Sequence, residues 1–261
     1  QLCLTEPGTL RHRATCSVTK PCDGWSKPPG AATEFRTSLT RRALNTVDEK
    51  VLAIVRINIP RPQQEEEIHW FKHFSDDTDE STLTWYVDGS LLDGPRELTG
   101  RTGAGFAAVN DKGKLVAYGY AIPPHYICTI PGVEAWAICI VLLNTITRSA
   151  IITDCLGNVR MYQRGKLFAT DGKRPLARVW NTIFNAIDDS DDADTLKLHW
   201  MAAHASKACI GRDKRSDGQF VSCVDHRANA LVDALAKLAA GSQRVPHYIT
   251  KHLGRAAAAI E

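Results

Sequence analysis

Four acidic residues occupy positions that could hold a metal ion. Asp88 ends the strand-forming run TLTWYVD, and Asp154 ends the run AIITD. Glu134 falls in the first turn of a predicted helix, and Asp233 falls inside the helical pattern ANALVDALA. A buried carboxylate without a partner tends to take up a proton, so a strand-end aspartate needs a reason to keep its charge. Because sites in open α/β sheets form beyond the carboxyl ends of strands, we expect the acids to converge there.

Converging carboxylates indicate divalent cations, because the negative charges repel one another unless a cation balances them. Hard oxygen ligands favour Mg²⁺ or Mn²⁺. Two such ions about 4 Å apart form the clamp of two-metal phosphoryl-transfer enzymes. Each acid alone also has an ordinary explanation, as a turn residue, a favourable charge at a helix N-terminus or a solvated helix position. The joint pattern, and no single acid, therefore predicts a two-metal site.

The composition leaves nucleic-acid binding open and argues against a membrane protein. The chain has 261 residues and a formal net charge of +3, and its Lys and Arg residues gather in stretches such as 160–178 and 207–215. A near-neutral total can coexist with a basic surface. The longest apolar run, AWAICIVLL, is too short to cross a bilayer. Eight cysteines follow no disulfide-framework spacing, which indicates an intracellular protein.

The clearest secondary-structure patterns lie between residues 82 and 241. TLTWYVD predicts a strand, and TGAGFAAVN and KLVAYGYAI predict two strands joined by a DKG turn. PGVEAWAICIVLLNTI predicts a helix, and SAIITD predicts another strand. Helices over 156–164 and 175–188, a strand over 195–202 and a loop over 205–224 follow.

The last predicted element is the helix VDHRANALVDALAKLAA, with Asp225 as its N-cap. Strands come first and then alternate with helices, which predicts an α/β fold with a sheet that is antiparallel at first and parallel later. Residues 1–75 lack this periodicity and are interpreted as an irregular linker. Residues 242–261 are interpreted as a C-terminal tail.

The motifs YVDGS, GVEAWAI, IITDC and NALVDALAK, in this order, resemble ribonuclease H over residues 82–241. The resemblance implies a mixed five-stranded sheet with flanking helices, and an enzyme that cleaves the RNA strand of an RNA–DNA hybrid with two Mg²⁺ or Mn²⁺ ions. It implies that four residues are catalytic metal ligands, namely Asp88, Glu134, Asp154 and Asp233. Four more positions fall where substrate contacts are expected, namely Gly89, Ser90, Thr129 and Asn229.

One further residue, a histidine, matches the family, whereas several other positions differ from it. HWMAAHAS resembles the family's strand and histidine-bearing loop, which makes His204 the candidate for proton transfer at product release. The segment 205–224 is a long insertion before the last helix. Ile130 and Pro131 stand where many family members carry asparagines that contact RNA, and Cys155 stands where serine is common. The metal ligands are retained, whereas the details of hybrid recognition differ.

A second motif lies at the beginning of the chain. Cys3, His12 and Cys16 have the spacing C-x8-H-x3-C, and a preceding cysteine would complete a tetrahedral Zn²⁺ set. The motif resembles the zinc segment that follows the reverse transcriptase of non-LTR retroelements. It implies that the chain is part of a reverse transcriptase polyprotein, with the rest of that polyprotein as its partner. An unstructured segment with incidental Cys and His residues is the alternative.

Three other functions fit parts of the pattern. A catalytically decayed nucleic-acid-binding module of a mobile-element remnant would share the fold, but the retained acids argue against decay. An integrase would have a similar fold, although three acids are usual there. An actin-like ATPase would need a second phosphate-binding Asp-Gly turn, which the sequence lacks.

Overall fold

The computed structural model describes residues 67–75, 77–94, 99–147, 149–188, 196–203 and 206–260. The predicted zinc ligands Cys3, His12 and Cys16 lie outside these residues, and so does the loop histidine His204. Residues 59–246 form one compact unit.

Six strands form one mixed sheet in the order β1-β4-β3-β2-β5-β6. Their bounds are β1 (Ile68–Lys72), β2 (Thr84–Leu92), β3 (Arg101–Val109), β4 (Leu115–Ala121), β5 (Ala150–Thr153) and β6 (Leu198–Trp200). Strands β1 to β4 pair in antiparallel fashion, whereas β2–β5 and β5–β6 are parallel pairs. The predicted mixed α/β sheet is thus confirmed.

The sheet has one strand more than the predicted five. β1 pairs with β4 at the edge, N-terminal to the segment where the sequence patterns are clear. Trp70 packs against the core, while Phe71 points away from it and is exposed. The run IHWFK does not alternate cleanly between apolar and polar residues, because the exposed Phe71 is itself apolar, so the sequence pattern did not indicate this strand.

The described part of the chain contains six α-helices. They are α1 (Ile130–Leu143), α2 (Leu156–Gln163), α3 (Lys166–Ala169), α4 (Ala177–Asp188), α5 (Cys223–Ser242) and α6 (His247–Ile260). Helix α6 falls in the segment interpreted as a tail and belongs to a separate compact unit. In the described residues, none of these helices combines the length and apolar character that a membrane span requires.

Alternating residues of β2 face two hydrophobic clusters. Trp85 and Val87 join the cluster that α1 and α4 complete, whereas Tyr86 joins the cluster that α5 completes. Helix α5 lies very close to β3, because a Cβ atom on Gly105 would collide with the carbonyl oxygen of Val232. Glycine at this position brings the helix that carries Asp233 down onto the sheet.

The N-terminus of α5 differs from the sequence prediction. Ser222 is the N-cap, and the predicted cap Asp225 is the third helical residue. The Ser222 hydroxyl accepts from the backbone N–H of Asp225 at 3.1 Å, and the Asp225 carboxylate accepts from the backbone N–H of Ser222 at 2.7 Å. This is a capping box, in which two residues three apart satisfy each other's backbone donors.

Candidate active site

The structure brings three of the predicted acids together. Oxygen atoms of Asp88, Glu134 and Asp154 all lie within 4.8 Å of one another. Val87 of β2 pairs in parallel with Thr153 of β5, so each aspartate is the residue that follows a paired position on adjacent strands. Asp154 follows the end of β5 as predicted, whereas the predicted strand end at Asp88 is wrong, because β2 continues for four more residues in its pairing with β3. The parallel pairing of β2 and β5 nevertheless places the two aspartates side by side.

The third carboxylate reaches the cluster because α1 packs closely on β2. A Cβ atom on Gly89 would lie 2.5 Å from Cγ1 of Val133 and 2.8 Å from the backbone nitrogen of Glu134. A larger residue at this position would push the start of α1 away. Glu134 is the fifth residue of α1, so the prediction that placed it in the first turn is wrong by about one residue. Thr129 begins this turn as its N-cap, with its hydroxyl accepting from the backbone N–H of Gly132 at 3.3 Å.

A buried threonine, which the sequence analysis missed, holds Glu134. The hydroxyl of Thr153 donates to Oε2 of Glu134 at 3.3 Å and accepts from the backbone N–H of Cys155 at 3.1 Å. Thr153 has no solvent exposure. A polar residue in the last buried position of a strand, directly before the strand-end aspartate, was the available signal.

The electrostatics of the cluster favour uptake of positive charge. Glu134 is 2% exposed and Asp88 is 6% exposed. Burial, and then repulsion from Asp88 and Asp154, raises the pKa of Glu134 well above its ordinary value. Burial also raises the pKa of Asp88; the charge of Asp154 adds to this, whereas hydrogen bonds from Glu134 and the Gly89 backbone oppose it. Within the described residues, no ion pair joins Asp88 or Glu134 to a basic side chain.

The fourth predicted ligand, Asp233, lies outside the group of three close carboxylates. It is on α5, where its carboxylate accepts from Nζ of Lys237 at 2.7 Å, one turn further along the helix. Its charge nevertheless contributes to the raised pKa of Asp88, so it faces the cluster at longer range. Asn229, one turn earlier on the same helix, is buried. Ser90 is also buried, two residues after Asp88 on β2.

A tryptophan that the sequence analysis did not single out contacts the strand end that carries Asp154. The indole Nε1–H of Trp200 donates to the carbonyl oxygen of Asp154 at 3.0 Å. Trp200 is the last residue of β6 and pairs with Thr153 in the sheet. The motif HWMAA predicts the strand, but no local sequence pattern predicts the hydrogen bond between the Trp200 indole and the Asp154 carbonyl oxygen.

Basic residues gather on α2 to α4 and on the loops between these helices, as the sequence indicated. The guanidinium groups of Arg164 and Arg174 lie 4.6 and 3.4 Å from the ring centre of Phe168. Arg178 lies 4.5 Å from the ring centre of Tyr126, which precedes α1. These cation–π contacts fix three guanidinium groups at or near the surface, where phosphate groups could reach them.

No protein-family model and no curated protein sequence matches the chain. Among solved structures, it is similar to LC9-RNase H1, described as a type 1 RNase H with the type 2 active-site motif. The identity is 19% and the TM-score 0.43, over 65% of this chain and 76% of that one. It is also similar to the RNase H domain of PFV, with 18% identity and a TM-score of 0.42 over 62% and 95% of the two chains.

The protease–reverse transcriptase of prototype foamy virus is similar as well. The identity is 17% and the TM-score 0.45, over 65% of this chain and 22% of that much longer one. Similarity at this level of identity and superposition says nothing about activity. The mixed sheet with flanking helices agrees with the architecture that the sequence resemblance implies, with one strand more than expected.

Proposed function

We propose that the protein is a metal-dependent endonuclease that cleaves the RNA strand of RNA–DNA hybrids. The observation that carries the proposal is the cluster of Asp88, Glu134 and Asp154, whose oxygens lie within 4.8 Å of one another. The four motifs that resemble ribonuclease H supply the substrate class. Hydrolysis by the two-metal route would leave 5′-phosphate and 3′-hydroxyl ends.

The donor set fits Mg²⁺ or Mn²⁺. It offers carboxylate oxygens only, two of the three side chains are buried, and their mutual repulsion would be relieved by a divalent cation. Asp88, Glu134 and Asp154 would hold the ions, with Asp233 completing the set once it leaves Lys237. When bound, such ions polarise the phosphodiester and lower the pKa of a water molecule.

The residues of the chain itself would do the remaining work. Burial of Asp88 and Glu134 keeps bulk water away from the carboxylates, which strengthens their interaction with positive charge. Gly89, Ser90, Thr129 and Asn229 are proposed to contact the substrate. His204 is proposed to move a proton at product release, as the sequence motif predicts.

The proposed substrate contacts are mainly phosphate contacts. Exposed basic residues of 160–178 would bind the hybrid backbone, and affinity should fall steeply with salt because counterions are released. A requirement for ribose 2′-hydroxyl groups would separate this activity from a DNA nuclease. The proposed partner remains the rest of a reverse transcriptase polyprotein of non-LTR type. This part of the proposal rests on the motif of Cys3, His12 and Cys16, which is proposed to bind Zn²⁺.

One observation favours a second candidate, a hybrid-binding module without catalysis. The carboxylate of Asp233 is paired with Lys237 and lies outside the close cluster. If this pair persists with substrate bound, only three acids remain for two ions. The protein would then bind hybrids without cutting them.

A cleavage assay separates these candidates. The protein is incubated with end-labelled RNA–DNA hybrid, duplex DNA and duplex RNA, each with Mg²⁺ or with EDTA. Cleavage of the hybrid alone, in Mg²⁺ alone, is the expected result. Binding without cleavage would favour the non-catalytic module, and equal cutting of duplex DNA would contradict the proposal.

A further inference from the structure

Residues 206–222, which the sequence predicts as a loop, contain a hydrogen-bonded hairpin. Lys214 and Phe220 form an antiparallel bridge. The backbone N–H of Arg215 donates to the carbonyl oxygen of Gln219 at 2.8 Å, and further backbone hydrogen bonds close the base of the hairpin. The insertion is therefore an organised element in the described residues.

The hairpin is joined to the acid cluster through Trp200. The backbone N–H of Ser216 donates to the carbonyl oxygen of Trp200 at 2.9 Å, and the backbone N–H of Trp200 donates to the Ser216 hydroxyl at 2.7 Å. The indole of Trp200 then donates to the Asp154 carbonyl oxygen at 3.0 Å. These hydrogen bonds connect the hairpin tip to one of the three clustered acids.

This contact fixes a part of the chain that the sheet itself does not hold. Strand β5 ends at Thr153, whose carbonyl oxygen accepts from the backbone N–H of Met201 at 3.0 Å. Asp154 is one residue further, and its carbonyl oxygen accepts from the indole instead. Because an aspartate side chain is short, the position of its carboxylate follows closely from the position of its backbone.

A second contact joins the hairpin to the other acid-bearing elements. The guanidinium group of Arg215 donates to Asp225 at 2.7 Å and to Asp217 at 2.6 Å, and the Tyr86 hydroxyl donates to Asp225 at 2.6 Å. Tyr86 is on β2, two residues before Asp88, and Asp225 is on α5, the helix of Asp233. The Arg215 and Asp225 side chains are only 11% and 4% exposed.

We infer that residues 206–222 are a brace that fixes the elements carrying Asp88, Asp154 and Asp233, and that Trp200 is the positioning residue for Asp154. The inference rests on the proposed function, since the brace matters for the cluster only if the cluster binds metal. Hydrogen bonds that orient metal ligands commonly change metal affinity or activity by about 10–100-fold when they are removed. Here the orienting bond acts on the ligand's backbone.

The test compares two tryptophan variants of the full chain. Trp200→Phe keeps an aromatic ring but removes the indole donor to Asp154. Trp136→Phe is the matched control, because the indole N–H of Trp136 is buried and has no hydrogen-bond partner among the residues that the structure describes. Mg²⁺ affinity is measured by calorimetric titration, and hybrid cleavage is measured as a function of Mg²⁺ concentration. We expect Trp200→Phe to weaken Mg²⁺ binding about 10-fold and Trp136→Phe to bind Mg²⁺ like the wild type.

The outcomes separate the brace from the proposed function. If the wild type cleaves the hybrid and Trp200→Phe binds Mg²⁺ with the same affinity as the wild type, the brace alone is overturned. If the wild type does not cleave hybrids but Trp200→Phe binds Mg²⁺ more weakly than the wild type, the brace is supported and the proposed activity is overturned. If Trp200→Phe does not fold, Ser216→Ala replaces it: weaker Mg²⁺ binding supports the brace, and unchanged binding overturns it.

Discussion

Two groups of buried carboxylates in this protein differ in what balances their charge. Around Asp225, burial raises the pKa, but hydrogen bonds from Ser222 and Tyr86 and the charge of Arg215 outweigh it and hold the pKa below its ordinary value. In the cluster of Asp88, Glu134 and Asp154, burial and mutual repulsion raise the pKa of the first two residues. The same fold thus neutralises one group internally and leaves the other in need of positive charge.

The difference shows why burial alone does not identify a site. Asp225 is as buried as Asp88 and Glu134, yet its partners already satisfy it, and its place is in the structural brace. Asp88 and Glu134 have no such cation in the described residues. Two buried carboxylates that have no basic partner in the described residues, and that lie beside a third acid, are the better candidate for a metal centre.

The largest expected effect is on cleavage by Asp154→Asn. The variant loses one charged ligand, so hybrid cleavage should fall at least ~100-fold, or roughly 3 kcal/mol of transition-state stabilisation. Its metal-free form should be slightly more stable than the wild type, because repulsion within the cluster is relieved. Turnover and thermal unfolding are compared with those of Asp111→Asn, a control in an exposed turn. Near-wild-type cleavage by Asp154→Asn would remove this residue from the site.

Removing Arg215, the cation that neutralises Asp225, should destabilise the fold. Arg215→Met leaves Asp225 buried without a cation and should cost about 3–5 kcal/mol of unfolding free energy, measured by urea denaturation. Arg244→Met is the control, because Arg244 forms an ion pair with Asp93 in which the arginine is 61% exposed. We expect little change in that variant. Equal losses of unfolding free energy in the two variants would contradict the view that the buried Arg215–Asp225 pair stabilises the fold more than an exposed pair does.

The two groups should respond to pH with opposite signs in metal-free protein. A carboxyl whose folded pKa is raised binds more protons in the folded state, so the cluster loses stability as pH rises above about 4, the unfolded value. Glu134→Gln should therefore gain stability over the wild type as pH rises from 4 to 8. The pKa of Asp225 is lowered, so its contribution is present above about pH 4 and is lost as pH falls through the folded pKa. The deficit of Arg215→Met should accordingly shrink in acid; urea denaturation across this pH range checks both signs.

The smallest effect is expected at Lys237. Removing this exposed partner of Asp233 by Lys237→Ala should change stability by only roughly 0.3–0.5 kcal/mol, the usual size for a helix pair of this spacing. Mg²⁺ affinity should rise a few-fold, because Asp233 becomes available to the cluster. Calorimetric titration checks this, and unchanged affinity would indicate that Asp233 is not a metal ligand.

The sequence predicted the elements that place the cluster because their signals are local. Short patterns of apolar residues placed Asp154 at the end of a strand, Asp88 on a strand and Glu134 near the start of a helix. They did not give the exact ends, because β2 continues beyond Asp88 through its pairing with β3, and α1 begins at Ile130, which puts Glu134 beyond the first turn. The pairing of Asp233 with Lys237 also has a local signal, an acid four residues before a lysine on a helix, but the sequence analysis did not use it.

Other features depended on distant partners. The indole of Trp200 meets the Asp154 backbone only because β5 and β6 are neighbours, and Arg215 meets Asp225 only because the insertion folds back. Asp225 was interpreted as the N-cap because aspartate is common both at the N-cap and at the third helical position, and the sequence pattern alone does not separate the two. These features emerge from tertiary packing, for which the sequence pattern has no local counterpart.

The central claim is that the three-carboxylate cluster is completed by a divalent cation. Its most direct test is the thermal stability of the wild type and of Glu134→Gln with increasing Mg²⁺, at constant ionic strength. A ligand that binds only the folded state raises the unfolding free energy with its concentration. The account predicts a clear rise in the melting temperature of the wild type and a much smaller one in Glu134→Gln. The same rise in both proteins, or no rise in either, would contradict it.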